Sequence, residues 1–134
     1  MIRVTAQVLK VDEKSPITNI VYSKEALEKA IENYNKGDLK FGQFAEENTE
    51  FRPSEVACKV ENLKIDGDKV IGDIIIVDSP KGVICQKLIK KGEKLAAAPR
   101  VEVDEENNLV GIVGIDIIKD ERKVFEYNTL KPEE

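Results

Sequence analysis

The stretch Val56–Arg100, VACKVENLKIDGDKVIGDIIIVDSPKGVICQKLIKKGEKLAAAPR, constrains the fold most, because its hydrophobic period changes twice along its length. Val56, Cys58 and Val60, then Leu63 and Ile65, alternate with polar residues, as a strand with one buried face does. The parity shifts between Val60 and Leu63, which predicts a bulge near Glu61–Asn62. Asp66–Gly67 predicts a hairpin turn, since glycine accepts the positive φ that tight turns need. Of the two registers available, the one that sets Ile65 opposite Val70 buries more apolar surface than the one opposite Asp68. Val70–Val77 then reads as a strand covered on both faces. At Ser79–Pro80 the period becomes helical: the serine hydroxyl caps, and proline suits the first helical position. Ile84, Cys85, Leu88 and Ile89 form the apolar face of that helix. Lys87, Lys90 and Lys91 crowd its last turn, where the dipole favours cations, and Gly92 stops it. Leu95–Ala98, Pro99 and Arg100 leave as a small-residue strand or loop.

The rest of the chain fits around this stretch. Ile2, Val4, Ala6 and Val8 predict a first strand, Asp12–Pro16 a loop, and Ile17–Tyr22 a short extended run. Ser23 caps a helix predicted over Lys24–Asn35, with Ala26, Leu27, Ala30, Ile31 and Tyr34 inward and Gly37 as its end. Leu39–Phe44 reads as a strand and Ala45–Ser54 as a polar loop. Val101 and Val103 continue an alternating strand, and Glu105–Asn108 turns it. Leu109–Ile118 follows as an apolar strand whose glycines at 111 and 114 predict a bulge or sharp bend. Val124–Tyr127 reads as an edge strand. Seven or eight short strands and two helices give an α+β fold: a small, curved, mostly antiparallel sheet or barrel with both helices packed outside. One domain is expected over residues 1–128, with a polar tail at 129–134.

Composition removes several function classes. With 134 residues and 41% apolar content the chain can bury a real core. Its formal charge of −5 disfavours a generic grip on nucleic-acid phosphates, leaving Lys87, Lys90 and Lys91 as a solvated helix end. No apolar run approaches the ~18 residues of a membrane helix, and none suits a secretion signal. The chain contains no histidine, which excludes Ser-His-Asp and Cys-His catalysis and histidine-ligated zinc. Cys58 and Cys85 read as small buried hydrophobes in a reducing compartment rather than as a disulfide or metal pair. Ser79-Pro-Lys-Gly lacks phosphate-loop spacing, and the acidic residues Glu46, Glu47 and Glu50 are better read as solvated than as an acid–base or Ca²⁺ site. Asp66 and Asp68 are explained by their turn. No cofactor is expected.

The order of these pieces resembles the tailed-phage prohead maturation proteases, serine proteases with a herpesvirus-assemblin-like fold. The matching segments are NIVYSKEALEKAI from Asn19, GQFAEE from Gly42, ACKV from Ala57, DSPKG from Asp78 and AAPR from Ala97, spanning roughly residues 19–118. Family members carry Gly-Glu-x-x-His-Pro, Ser-His-x-Val ahead of a hairpin, Thr-Pro-x-Gly at a helix start and Ser-Ser-Arg-Gly after the helix. Carried across, the two histidines fall on Glu46 and Cys58. The serine pair falls on Ala98 and Pro99, or on Ala97 and Ala98 if the strand slips by one. The arginine falls on Arg100, beside the family's oxyanion site, although an ion-paired or surface arginine is the simpler reading. The resemblance thus implies the framework without catalytic groups: vestigial pocket positions at Glu46, Cys58, Ala98 and Arg100, and no catalytic residue. It implies a non-enzymatic phage head or auxiliary capsid protein. Such a protein would contact like chains or the major capsid protein, in the virion or in the host cytoplasm during assembly. Two other roles remain open: a divergent peptidase using Cys58, and a scaffolding or inhibitory partner of an active protease. Lys59 neighbours Cys58 but points to the other face of a strand, so nothing in sequence lowers that thiol's pKa.

Overall fold

The structure is a computed structural model that describes residues 2–14, 20–37, 40–46, 50–106, 108–119 and 130. In chain order the elements are β1 (Ile2–Lys10), α1 (Lys24–Lys36), β2 (Phe41–Gln43), a 3₁₀ turn at Pro53–Glu55, β3 (Val56–Asp66), β4 (Lys69–Ile76), α2 (Pro80–Lys90), β5 (Leu95–Val103) and β6 (Leu109–Lys119). Four strands form one antiparallel sheet in the order β1-β4-β3-β2, and β5-β6 form an antiparallel hairpin. Just past β2 a single parallel bridge, Phe44 to Ile117, links the sheet to the hairpin, and the Ala45 N–H donates to the Ile117 carbonyl at 3.3 Å. Among the described residues the result is α+β, with antiparallel sheets that do not close into a barrel.

The central stretch folds as its pattern demands. β3 carries a register shift between Glu61 and Lys64, with Asn62 at φ 54°, so the extra residue of the bulge restores Leu63 to the buried face. Ile65 pairs with Val70, the better-burying register, and Asp66 also pairs with Lys69, so the turn itself is Gly67–Asp68. Gly67 supplies φ 66° there. Ser79 caps α2, its Oγ accepting from Gly82 N–H at 3.0 Å and its hydroxyl donating to the Val56 carbonyl. Gly92 at φ 85° ends the helix as a Schellman motif: its N–H reaches the Ile89 carbonyl and that of Glu93 reaches Leu88, each at 3.0 Å.

Two expectations need correction. β4 is not equally covered on both faces; Val70, Gly72, Ile74 and Ile76 are buried while Ile71, Asp73 and Ile75 are only half-buried. On that face Asp73 gathers Arg3, Thr5 and Asn62. Ile84 is not on the buried face of α2: it is 43% exposed, and Gly82 and Cys85 take the inward positions. Gly82 touches the strand closely enough that a Cβ would fall 1.9 Å from the Val77 carbonyl, so the helix sits on its small residues.

α1 packs on β3 and β6, and α2 on β3 and β4. The main core joins Leu27, Ile31 and Tyr34 of α1 to Val60, Ile74, Ile115 and Ile117, all buried. Both cysteines are free and fully buried. In the hairpin the predicted irregularities are two: register shifts between Arg100 and Val101 and between Glu102 and Val103 leave Val113 and Val110 as extra residues on β6. Of the run Ile17–Tyr22 only Ile20–Tyr22 is described, and Val21 bridges Lys14. The expected edge strand Val124–Tyr127 lies outside the described residues. So does the tail, except Leu130, which is buried and donates to the Leu95 carbonyl at 2.8 Å.

Candidate functional site

The only buried polar side chains in the described core are Gln43 and Asp116, and they meet where β2 passes β6. A buried carboxylate is costly unless fully paired, so its partners define the site. Asp116 lies opposite Ala98 in the hairpin, and Arg100, two residues on, projects from the same face. Arg100 Nε donates to Oδ2 at 3.0 Å and Nη2 to Oδ1 at 3.2 Å, a two-pronged pair with side chains 15% and 3% exposed. The guanidinium needs room directly over Gly114, where a Cβ would sit 2.3 Å from Nη2. Gln43 completes the carboxylate's shell, giving its backbone N–H at 3.2 Å and its Nε2 at 3.4 Å.

Gln43 also holds the following loop in place. Its Nε2 reaches the Glu50 carbonyl at 3.3 Å, and its Oε1 accepts from Arg52 N–H at 3.0 Å. These two contacts bracket Phe51, whose ring stacks under the Arg100 guanidinium at 5.2 Å. Arg100 is therefore held by the Asp116 carboxylate and lies over the Phe51 ring. Tyr34 on α1 lies within electrostatic reach of Cys58, Arg100 and Asp116; its hydroxyl is buried without a hydrogen-bond partner among the described residues. Burial, and then the neighbouring Cys58, push its phenol well above the ordinary range.

The four positions singled out from the sequence differ in surroundings. Arg100 is part of the polar cluster. Ala98 is buried beside it in a small separate cluster with Ala96 and Ile118. Cys58 belongs to the main core, paired to Gly42 and Ile76, with its Sγ donating to the Ile115 carbonyl at 3.7 Å. Glu46 is exposed, three residues past the end of β2. The approach of β2 is unusually close: a Cβ on Gly42 would stand 1.9 Å from the Ile115 carbonyl and 2.7 Å from Cys58 Sγ. Desolvation, helped by Asp116 and Cys85, drives the Cys58 thiol far above its usual pKa. Burial also pushes that of Cys85 up to about 12.

Chemically, then, the carboxylate and the guanidinium at this site satisfy each other, and the thiol nearby is neutral and out of solvent reach. Among the described residues no group of three ligating side chains could hold a metal ion, and no helix is long and apolar enough to cross a membrane. Gln43, Phe51 and Asp116 were not anticipated from the sequence. Asp116 did leave a signal: it is the one charged residue between Leu109 and Ile118, and a carboxylate inside an apolar strand requires a cation in the partner strand.

No protein-family model matches the chain, and no curated protein matches it in sequence. Among solved structures, that of the bacteriophage T4 capsid assembly protease superimposes with a TM-score of 0.64, covering 87% of this chain and 81% of that one at 19% identity. The fold is prohead-protease-like. At that identity the likeness speaks for architecture, and the framework expected from ACKV, DSPKG and AAPR is present as strand, helix start and strand.

Proposed function

We propose that this chain is a non-enzymatic component of a phage head, built on the prohead-protease-like fold and acting through contacts with like chains or the major capsid protein. The observation that carries this reading is Arg100. The resemblance sets it beside an oxyanion site, whereas here its Nε and Nη2 donate to Asp116 and its guanidinium lies over Phe51. The chain has no histidine to take a proton, and the strand that would carry the nucleophile reads Ala97-Ala98-Pro99. The similarity to a capsid assembly protease supports the head context. Its place would be the virion, or the host cytoplasm while heads assemble.

Two measurements test the reading. Purified chain incubated with capsid or scaffold protein should leave both intact; cleavage by wild type that disappears in Cys58→Ala would instead establish a divergent thiol peptidase. Against that alternative stand the complete burial of Cys58 and its raised pKa. Mass spectrometry of purified particles should find the chain in mature heads. Its presence in assembling heads alone would point to a scaffolding or inhibitory partner.

A further inference from the structure

The segment where α2 runs into β5 is basic and the tip of the β5–β6 hairpin is acidic, and apolar side chains are left uncovered on α2 and beside the tip. At the base, α2 runs into β5 through Lys87, Lys90, Lys91 and Lys94, all exposed, with Glu93 the single carboxylate from Pro80 to Leu95. The helix dipole explains lysines in the last turn but not Lys94, which lies beyond it. Nor does it explain Val83 and Ile84, exposed by 36% and 43% on the same side of the helix as Lys87. At the tip, Glu102, Asp104, Glu105 and Glu106 are exposed, and no lysine or arginine occurs from Val101 to Ile118. Behind them stand Val110 and Val113, the extra residues of the two β6 bulges, exposed by 53% and 51%.

Four of the six exposed large apolar side chains among the described residues thus lie on α2 or beside the tip. None of the eight charged groups makes an ion pair among the described residues. About 26 Å of strand separates Lys94, just before β5, from Glu102 at the tip, too far for these two to pair within one molecule.

We propose that the lysine-bearing base of one molecule docks on the acidic tip of a second copy, with Val83 and Ile84 covered by Val110 and Val113. The two surfaces differ, so the contact is heterologous and repeats from copy to copy, closing as a ring or running on as a filament. Nucleic acid is the weaker occupant for the lysines: the chain is acidic overall, at −5, and a phosphate backbone would leave both apolar side chains wet. The proposal rests on charge and exposure, independently of the head reading, and gives that reading a surface.

Sedimentation velocity of the full chain across a concentration series should show self-association that falls as salt screens the charges. Reversing the base (Lys87→Glu, Lys90→Glu, Lys91→Glu) or the tip (Glu102→Lys, Glu105→Lys, Glu106→Lys) should each weaken association by ~100-fold or more. An equimolar mixture of the two variants should associate again, because each then offers what the other lacks. Circular dichroism should show both variants folded, and Val113→Asp, on the bulge, should also weaken association while leaving the existing charged groups in place. The proposal is overturned by a wild type that stays monomeric at every concentration, by folded variants that associate like wild type, or by a mixture that stays apart. A monomer that nevertheless enters heads would sink this contact and leave the proposed function standing; an oligomer absent from heads would do the reverse.

Discussion

Two arginine–aspartate pairs sit in this fold at nearly equal distances and in opposite surroundings. Arg3 and Asp73 meet at 2.8 Å on the outer face of the four-stranded sheet, with side chains 55% and 20% exposed. Arg100 and Asp116 meet at 3.0 Å at the sheet–hairpin junction, 15% and 3% exposed. Water already solvates the first pair, so forming it changes little. The second pair has left water behind, and each partner is tolerable only because the other is present. The lesson is that distance says little about what such a pair holds together; burial decides it. The outer face would survive without its pair, whereas the junction is organised around its own.

The sharpest way to break the contrast is Asp116→Ala. It strands Arg100 and leaves the Gln43 N–H without its acceptor, so a loss of about 4 kcal/mol in urea unfolding is expected. Replacing both partners, as in Arg100→Met with Asp116→Leu, removes the stranded charge and should lose only about 1–2 kcal/mol, the remainder being Gln43's orphaned donor. A double variant as unstable as Asp116→Ala would mean that the pair holds the junction by attraction and not by mutual cancellation of desolvation.

Next in size is Gly42→Ala, which leaves both pairs untouched. With the Ile115 carbonyl 1.9 Å from where a methyl carbon would sit, β2 must retreat from β6, at about 3 kcal/mol. That retreat should also loosen Gln43 and free the loop around Phe51, so limited proteolysis near Arg52 should accelerate. Unchanged proteolysis would separate the position of β2 from the closure over Arg100.

A third effect appears at alkaline pH and belongs to the buried side alone. Cys58, Cys85 and Tyr34 have folded-state pKa values raised by burial. A raised value means that the folded chain keeps its proton more firmly than the unfolded one. Stability from these groups is therefore complete below the unfolded pKa and erodes as pH rises past it, from about 8.5 for a thiol. Each thiol contributes up to about 1.4 kcal/mol of loss per pH unit in that window. Thermal melts from pH 8 to 10 should fall for wild type and fall less for Cys58→Ala. Native-state alkylation of both thiols should be slow and follow unfolding.

What was legible in the sequence follows the same division. Alternation announced β1, β3 and the β3–β4 register, and Ser79, Pro80 and Gly92 announced both ends of α2, because apolar period and capping are local properties. The bulge at Asn62 was readable from parity alone. The closure over Arg100 was not, since it depends on Gln43 meeting Asp116 from 73 residues away. Short polar side chains have no period, and only the three-dimensional crossing of β2 and β6 reveals their partners. Ile84 misled for the reverse reason: helical spacing allotted it to the buried stripe, but Gly82 brings α2 so close to the strand that the stripe rotates onto Cys85.

The smallest expected effect closes the comparison from the exposed side. Hydrogen bonds from Asn62, then Arg3 and Thr5, hold the Asp73 carboxyl below its ordinary pKa. A depressed value means stability present above the unfolded carboxylate pKa, about 3.9, and lost as pH falls through the folded one. Arg3→Ala removes one of the three donors from a solvated group, so the loss near neutral pH should stay below about 1 kcal/mol and shrink further in salt. Its acid limb should shift slightly upward in pH, since Asp73 would protonate sooner. If Arg3→Ala instead lost as much as Asp116→Ala, and salt did not reduce the loss, the outer face of the sheet would have to be covered in solution. Burial would then rank the two pairs only after that cover was counted.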